Sequence, residues 1–167
     1  MAKYITVINE KGNIAVDDTI LVKDFPATAG SKMLESFSPL FTAEAVERLT
    51  AKGYTVSGKT AVGEFGLDLY GETGKVTGAA ASLVKENKVK AALNVDLNGA
   101  PRRAAAIEGV TFVKPTYGTV SRYGVIAAAC SGEQIGVTAK DADTAAEILS
   151  VIAGHEAKDG TSLKDKK

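Results

Sequence analysis

This sequence predicts an α/β fold, a sheet with helices on its faces. Two observations carry that expectation. Helix-like stretches with one apolar face alternate with short apolar runs along the chain, and glycine, proline and capping residues mark the breaks between them. Composition agrees, since 45% apolar residues and 17 glycines in 167 residues describe a globular chain with enough length for a core. One domain over residues 1–167 is expected, with a charged and mobile tail from Asp159 to Lys167.

The elements follow in order. Tyr4 to Asn9 and Ile14 to Val16, separated by Glu10-Lys11-Gly12, predict a β-hairpin, and Ile20 to Val22 a further strand. Residues 24–41, with Pro26, Gly30 and Pro39, predict loop with about one helical turn. Thr42 is the expected N-cap of a helix closed by Gly53, with Glu44 at its positive end and Ala45, Val46 and Leu49 on its buried face. Tyr54 to Ser57 predicts a strand, and the glycines between 63 and 75 a loop. Ala79 to Asn87 predicts a helix and Val89 to Val95 a buried strand. Pro101 suits the first turn of a helix reaching Glu108, and Val110 to Val113 a strand stopped by Pro115. Asp141 caps a helix through Ala153 whose inner face is Ala145, Ile148, Leu149 and Ile152.

Charge and composition exclude several function classes. Twenty lysines and arginines balance twenty aspartates and glutamates, so no net field favours nucleic acid or an anionic membrane. Tryptophan is absent and aromatic residues are 6%, which argues against a base-stacking surface. The opening MAKYITVINEKG has no apolar core of a signal peptide, and no apolar run approaches about 18 residues. A cytoplasmic location is expected, which the single Cys130 also suits.

Gly53 to Thr60 matches the phosphate-loop pattern G-x-x-x-x-G-K-T. Its context is wrong, because a helix precedes Gly53 and strand-like residues fill the middle. Cys130 follows three alanines and is expected to be buried and inert, and His155 sits at a helix end. Neither a cysteine–histidine pair nor a metal site is expected, nor any cofactor. Ser82, Ser121 and Ser131 lack the setting of an activated serine.

The stretch GVTFVKPTYGTVSRYGVIAAACSGEQIG, Gly109 to Gly136, resembles the central block of the amidase signature family, the serine hydrolases that include the A subunits of tRNA-dependent amidotransferases. Ser31 to Lys59 also resembles that family, as do Glu64-Phe65, Asp141 to Ala146 and Asp159 to Ser162. The likeness runs over roughly residues 12 to 162. It implies a mixed sheet flanked by helices, a truncated form of the family core, because the chain stops at Lys167 where full members continue for a second half.

The resemblance also implies where chemistry would sit. The family's D-T-G-G-S-x-R, which carries the nucleophilic serine, corresponds to Asp96-Leu97-Asn98-Gly99-Ala100-Pro101-Arg102, so Ala100 stands at the nucleophile. The family's I-A-V-K-D-N-I corresponds to Ile14 to Ile20, so Asp17 stands at the proton-shuttling lysine. Val76 falls at the bridging serine. With all three positions replaced, the resemblance implies no enzyme. Asp17 needs a charge partner if buried, and Arg103 or Arg102 is the candidate. A relic pocket would bind a ligand through Asp96, Asn98, Gly99 and Arg102, although a turn kept for packing explains them as well.

The expected function is therefore non-catalytic: a pseudoenzyme acting by self-assembly or by pairing with a full-length amidase-like partner. A homo-oligomer is expected, because the missing second half would leave a strand edge and apolar helix faces uncovered. Two alternatives are binding of a small amide or amino acid in the relic pocket, and a place like that of the A subunit in a tRNA-dependent amidotransferase. Partners of other kinds, membrane and nucleic acid, are not expected.

Overall fold

Among the residues described by the computed structural model, 4–67 and 78–164, six strands form one mixed sheet. They are β1 (Tyr4–Val7), β2 (Ile14–Asp17), β3 (Val56–Thr60), β4 (Ala91–Asp96), β5 (Thr111–Val113) and β6 (Gln134–Ala139), in the spatial order β1-β3-β2-β4-β6-β5. The central β3-β2-β4 trio is parallel, and antiparallel pairs flank it on both sides. Four α-helices complete the described fold: α1 (Glu44–Ala51), α2 (Ala79–Lys85), α3 (Ala100–Glu108) and α4 (Ala142–Ile152).

Parallel strands must be covered on both faces, and the side chains divide accordingly. Ile14, Val16, Leu93, Ile135 and Val137 point to the face covered by α1 and α4, where Val46, Leu49, Ala145, Ile148 and Ile152 meet them. Ala15 and Ala92 point to the other face, against Ala80, Leu83 and Val84 of α2. The first face holds the large side chains and supplies most of the apolar burial. Ile148 is fully buried there, so Ile148→Ala is expected to destabilise by about 2–5 kcal/mol; urea unfolding measures it.

The hairpin expected from Tyr4 to Val16 does not form. β1 pairs with β3, and β3 lies between β1 and β2. The amides of Ile8 and Asn9 donate to the Ser57 carbonyl, and the amides of Asn13 and Ile14 to that of Thr55. Glycine makes the insertion possible. A Cβ on Gly12 would lie 2.4 Å from Ser57 Cα, and one on Gly58 would lie 2.5 Å from the Thr6 carbonyl oxygen. Ile20 contributes only an isolated bridge to Val125.

Other boundaries move for identifiable reasons. The N-cap of α1 is Ala43, without a side-chain bond. The expected cap, Thr42, accepts instead from the Lys23 amide at 3.0 Å. Arg48 secures this helix tertiarily: it pairs with Glu44 at 2.7 Å and donates to the carbonyls of Ile152, Gly154 and His155 at and just past the end of α4. β3 starts two residues later than expected and runs through Lys59 and Thr60. β6, which no local pattern marked, pairs with β4 along its whole length. The Asp141 cap is as expected, its carboxylate accepting from the Thr144 amide at 2.7 Å.

Residues 159–164, expected within a mobile tail, are tied down. Asp159 is buried and accepts from the Arg122 amide at 2.7 Å, the Ser162 hydroxyl accepts from the Glu156 amide, and the Leu163 amide donates to the Gly118 carbonyl. Among the described residues, no helix is long and apolar enough to cross a membrane.

Candidate functional site

Parallel pairing gathers the ends of β2, β3 and β4 at one edge of the sheet. Asp17 is the last residue of β2 and lies in register with Thr60, the last of β3. Asp96 ends β4, and Ala100 opens α3 four residues later. The sheet thus brings together Asp17 and the Asp96–Arg102 turn, two of the segments that the sequence singled out. Val76, the third position, lies outside the described residues.

Asp17 is only 5% exposed. Its Oδ1 accepts from the Thr60 hydroxyl at 2.9 Å and from the Asn94 side-chain Nδ2 at 2.8 Å, and its Oδ2 accepts from the Val95 backbone amide at 3.1 Å. Burial pushes its carboxyl up to about 7, against the opposing pull of these three bonds and of the Lys59 charge. The expected pairing with Arg102 or Arg103 is not what meets it. Arg102 donates to both oxygens of Asp96, at 2.9 and 3.2 Å, and Arg103 donates to the Asn98 carbonyl at 3.1 Å. Both guanidinium groups serve their own turn, the preceding one, because helix α3 carries them back over Gly99.

The cation whose charge reaches Asp17 is Lys59, the lysine of the phosphate-loop pattern. Its side chain is fully buried, donates to the Ile20 carbonyl, and lies 3.8 Å from Asp18 Oδ1. That separation is an ion pair without a hydrogen bond, which leaves Asp18 Oδ1 with no donor. Asp18 Oδ2 accepts from both the amide and the hydroxyl of Thr28, at 2.8 and 2.5 Å. Burial pulls Lys59 down to about 8, less than it would without the two aspartates. A lysine enclosed in a strand cannot meet a nucleotide phosphate, so the G-K-T pattern has a structural role here.

The turn after β4 is built around Asp96, which is fully buried. Its oxygens accept from the Gly99 amide at 3.0 Å, from Arg102, and from Lys114 Nζ at 3.1 Å. Burial raises its carboxyl, but bonds and charge from Arg102 and Lys114 outweigh that, and the net effect is a lowered value. Gly99 has φ 91°, and a Cβ there would lie 3.2 Å from the Arg102 guanidinium. The Asn98 carboxamide accepts from the Ala100 amide at 3.2 Å, while its Nδ2 is buried without a partner. Ala100 is 6% exposed at the head of α3 and brings no functional group. The four residues read as ligand-binding thus share one turn whose carboxylate is occupied in holding it.

Sequence reasoning missed Lys59, Thr60, Asn94 and Lys114. Lys114 lies within the Gly109–Gly136 stretch with no role assigned, and only the fold shows it reaching Asp96 and the Gly132 carbonyl. Cys130, expected to be buried, is exposed. The run Ala127–Gly132 is a surface loop wrapped on Glu133, whose carboxylate accepts from the amides of Ala128 and Ala129. His155 is also exposed.

Comparison with known proteins agrees with this fold. A protein-family model described as Amidase matches residues 13–167. The A subunit of the Halobacterium salinarum glutamyl-tRNA(Gln) amidotransferase is 42% identical over 165 residues, covering 89% of this chain and 39% of that protein. Its counterpart from a Sulfurihydrogenibium species is 39% identical over 165 residues, covering 89% of this chain and 34% of that protein. This chain therefore spans a little over a third of the relatives' length. Among solved structures, the A subunit of the Thermotoga maritima glutamyl-tRNA(Gln) amidotransferase superposes with a TM-score of 0.88 and 31% identity, over 98% of this chain and 42% of that one. The peptide amidase of Stenotrophomonas maltophilia gives 0.80 and 26%, over 93% and 37%. The fold, the ends of its parallel strands and the extent of these matches lead to one conclusion: the chain belongs to the amidase signature family.

Proposed function

We infer that this chain is a non-catalytic member of the family, working through association with another protein chain. Ala100 carries the reading. It heads α3, where the resemblance puts the attacking serine, and a methyl group cannot attack an amide. Asp17 supports it, since a buried carboxyl held by Thr60, Asn94 and Val95 stands where the resemblance puts a lysine. Loss of the nucleophile alone removes on the order of 10⁶ in kcat in a serine protease. The purified protein is expected to release no ammonia from glutamine or simple amides and to resist a fluorophosphonate serine probe. Labelling of any serine, lost when that serine becomes alanine, overturns the reading.

Association is supported by the relatives, which are named as subunits of an amidotransferase, and by apolar side chains left at the surface. Met33 and Leu40 are 85% and 88% exposed, and Phe41 stacks on Tyr123 with ring centroids 4.9 Å apart. Light scattering at tens of micromolar is expected to give a multiple of the 17.3 kDa chain mass; a particle of one chain mass removes self-assembly and leaves a different partner. The relatives' names favour one second reading, in which the chain takes the place of the A subunit in an amidotransferase without glutaminase chemistry. Copurification of other amidotransferase subunits would select it.

A further inference from the structure

We propose that Asp17 and Thr60 form a proton-responsive latch, in which uptake of one proton by the Asp17 carboxyl turns the Thr60 hydroxyl from Asp17 to the Val16 carbonyl. The argument begins with a count of hydrogens. Thr60 Oγ1 carries one, yet it lies 2.9 Å from Asp17 Oδ1 and 3.4 Å from the Val16 carbonyl oxygen. A hydroxyl donates to one acceptor at a time. When Asp17 is ionised, the hydrogen goes to the carboxylate and the Val16 contact has no donor. When Asp17 is neutral, its own O–H donates to Thr60 Oγ1, and the Thr60 hydrogen is released to Val16. Asp17 keeps the Asn94 and Val95 bonds in both states, because each is donated to it.

A count of charges points the same way. Asp17, Asp18 and Lys59 are 5%, 0% and 0% exposed. With all three ionised, one net negative charge is sealed in the fold, which is unfavourable in a low-dielectric interior. One proton neutralises the cluster. Both donors of Thr28 converge on Asp18 Oδ2, and Lys59 stands 3.8 Å from Asp18 Oδ1. Among the described residues, no cation forms such an ion pair with Asp17. The strands and helix packed against it, among the described residues, bring these other charged groups. β3 brings Lys59, β2 continues into Asp18, and β4 ends in Asp96, which Arg102 and Lys114 neutralise. α2, packed on β2, buries only alanine, leucine and valine, and its Lys85 pairs outward with Glu108. The upward push of burial on the Asp17 carboxyl, to about 7, places the change near neutral pH.

The latch sits where β2, β3 and β4 end together, at the edge that carries the Asp96 turn. Proton uptake adds a side-chain tie between β3 and β2, and proton release replaces it with a buried anion. Nothing in the device requires hydrolysis, so it stands apart from the question of catalysis.

Carbon-13 NMR on the labelled whole chain between about pH 5 and 9 tests it. Asp17 Cγ is expected to titrate with a midpoint near 7, and the Val16 carbonyl carbon to shift with the same midpoint. Thr60→Val, which keeps shape and removes the hydroxyl, is expected to abolish the Val16 response while Asp17 still titrates. Thr60→Ser is expected to retain it. An Asp17 midpoint in the usual carboxylate range, or a Val16 carbon that does not move with Asp17, overturns the proposal. An Asp17 midpoint in the usual carboxylate range overturns the proposal in the wild type even if Thr60→Val fails to fold.

Discussion

Lys59→Met is expected to destabilise the protein by about 3–5 kcal/mol, the typical consequence of removing one member of a buried ion pair. Methionine fills a similar volume, so packing is nearly preserved and the loss is mainly electrostatic. Without the ammonium group, Asp18 loses its ion-pair partner and the Ile20 carbonyl loses its donor. Lys59 is also the group whose charge lowers Asp17, so its removal drives that carboxyl further toward the neutral form. Urea unfolding at pH 7 measures the effect as a lower midpoint with an unchanged slope. A change below about 1 kcal/mol would mean that the cluster holds no net charge for Lys59 to balance. Lys59→Met combined with Asp18→Asn should recover part of the loss, since the stranded charge is then gone.

A second large effect is a minimum of stability near neutral pH. Asp17 is raised from 3.8 to about 7 in the fold, so the folded state holds its proton more tightly than the unfolded chain does. Its contribution is complete below about pH 4 and is lost as pH rises through 7. At about 1.4 kcal/mol per pH unit, that span corresponds to on the order of 4 kcal/mol. Lys59 acts in the opposite sense at higher pH. It is lowered from 10.5 to about 8, so the folded state sheds its proton first, and stability returns as pH rises from 8 toward 10. The two groups are coupled, and the expected curve falls from pH 5 to 7, flattens, and rises above 8. Asp96 and Asp159, whose carboxyls are lowered, act only below that range and contribute the opposite slope there. Asp17→Asn should remove the descending limb and leave the ascending one. A wild-type curve that is flat from pH 5 to 7, or a limb that survives Asp17→Asn, counts against this assignment.

Much of the fold was legible without coordinates, and what was legible is local. The α1 face of Ala45, Val46 and Leu49 follows from helical spacing, the Asp141 cap from side-chain chemistry, and the α3 start from Pro101 in the first turn. The α/β class follows from the alternation of elements, and the family from motifs spread over most of the chain. That Ala100 and Asp17 stand where the resemblance puts a serine and a lysine is likewise read from sequence alone.

Tertiary structure decided what depends on residues far apart in the chain. No local pattern places β3 between β1 and β2, because the hydrogen bonds that draw it there join residues 8 and 9 to 57, and the close approaches at Gly12 and Gly58 are to backbone of another strand. The same limit misassigned the partners of Asp17. Arg102 and Arg103 offer the charge that would compensate Asp17, but a helix beginning at Ala100 turns them back onto Asp96 and Asn98. Lys59, 42 positions from Asp17 in sequence, reaches the cluster through strand register. A buried charge is governed by what the sheet brings within a few ångströms of it. The sequence alone determined which groups this protein has and lacks; the pairing of its strands determined which of them meet.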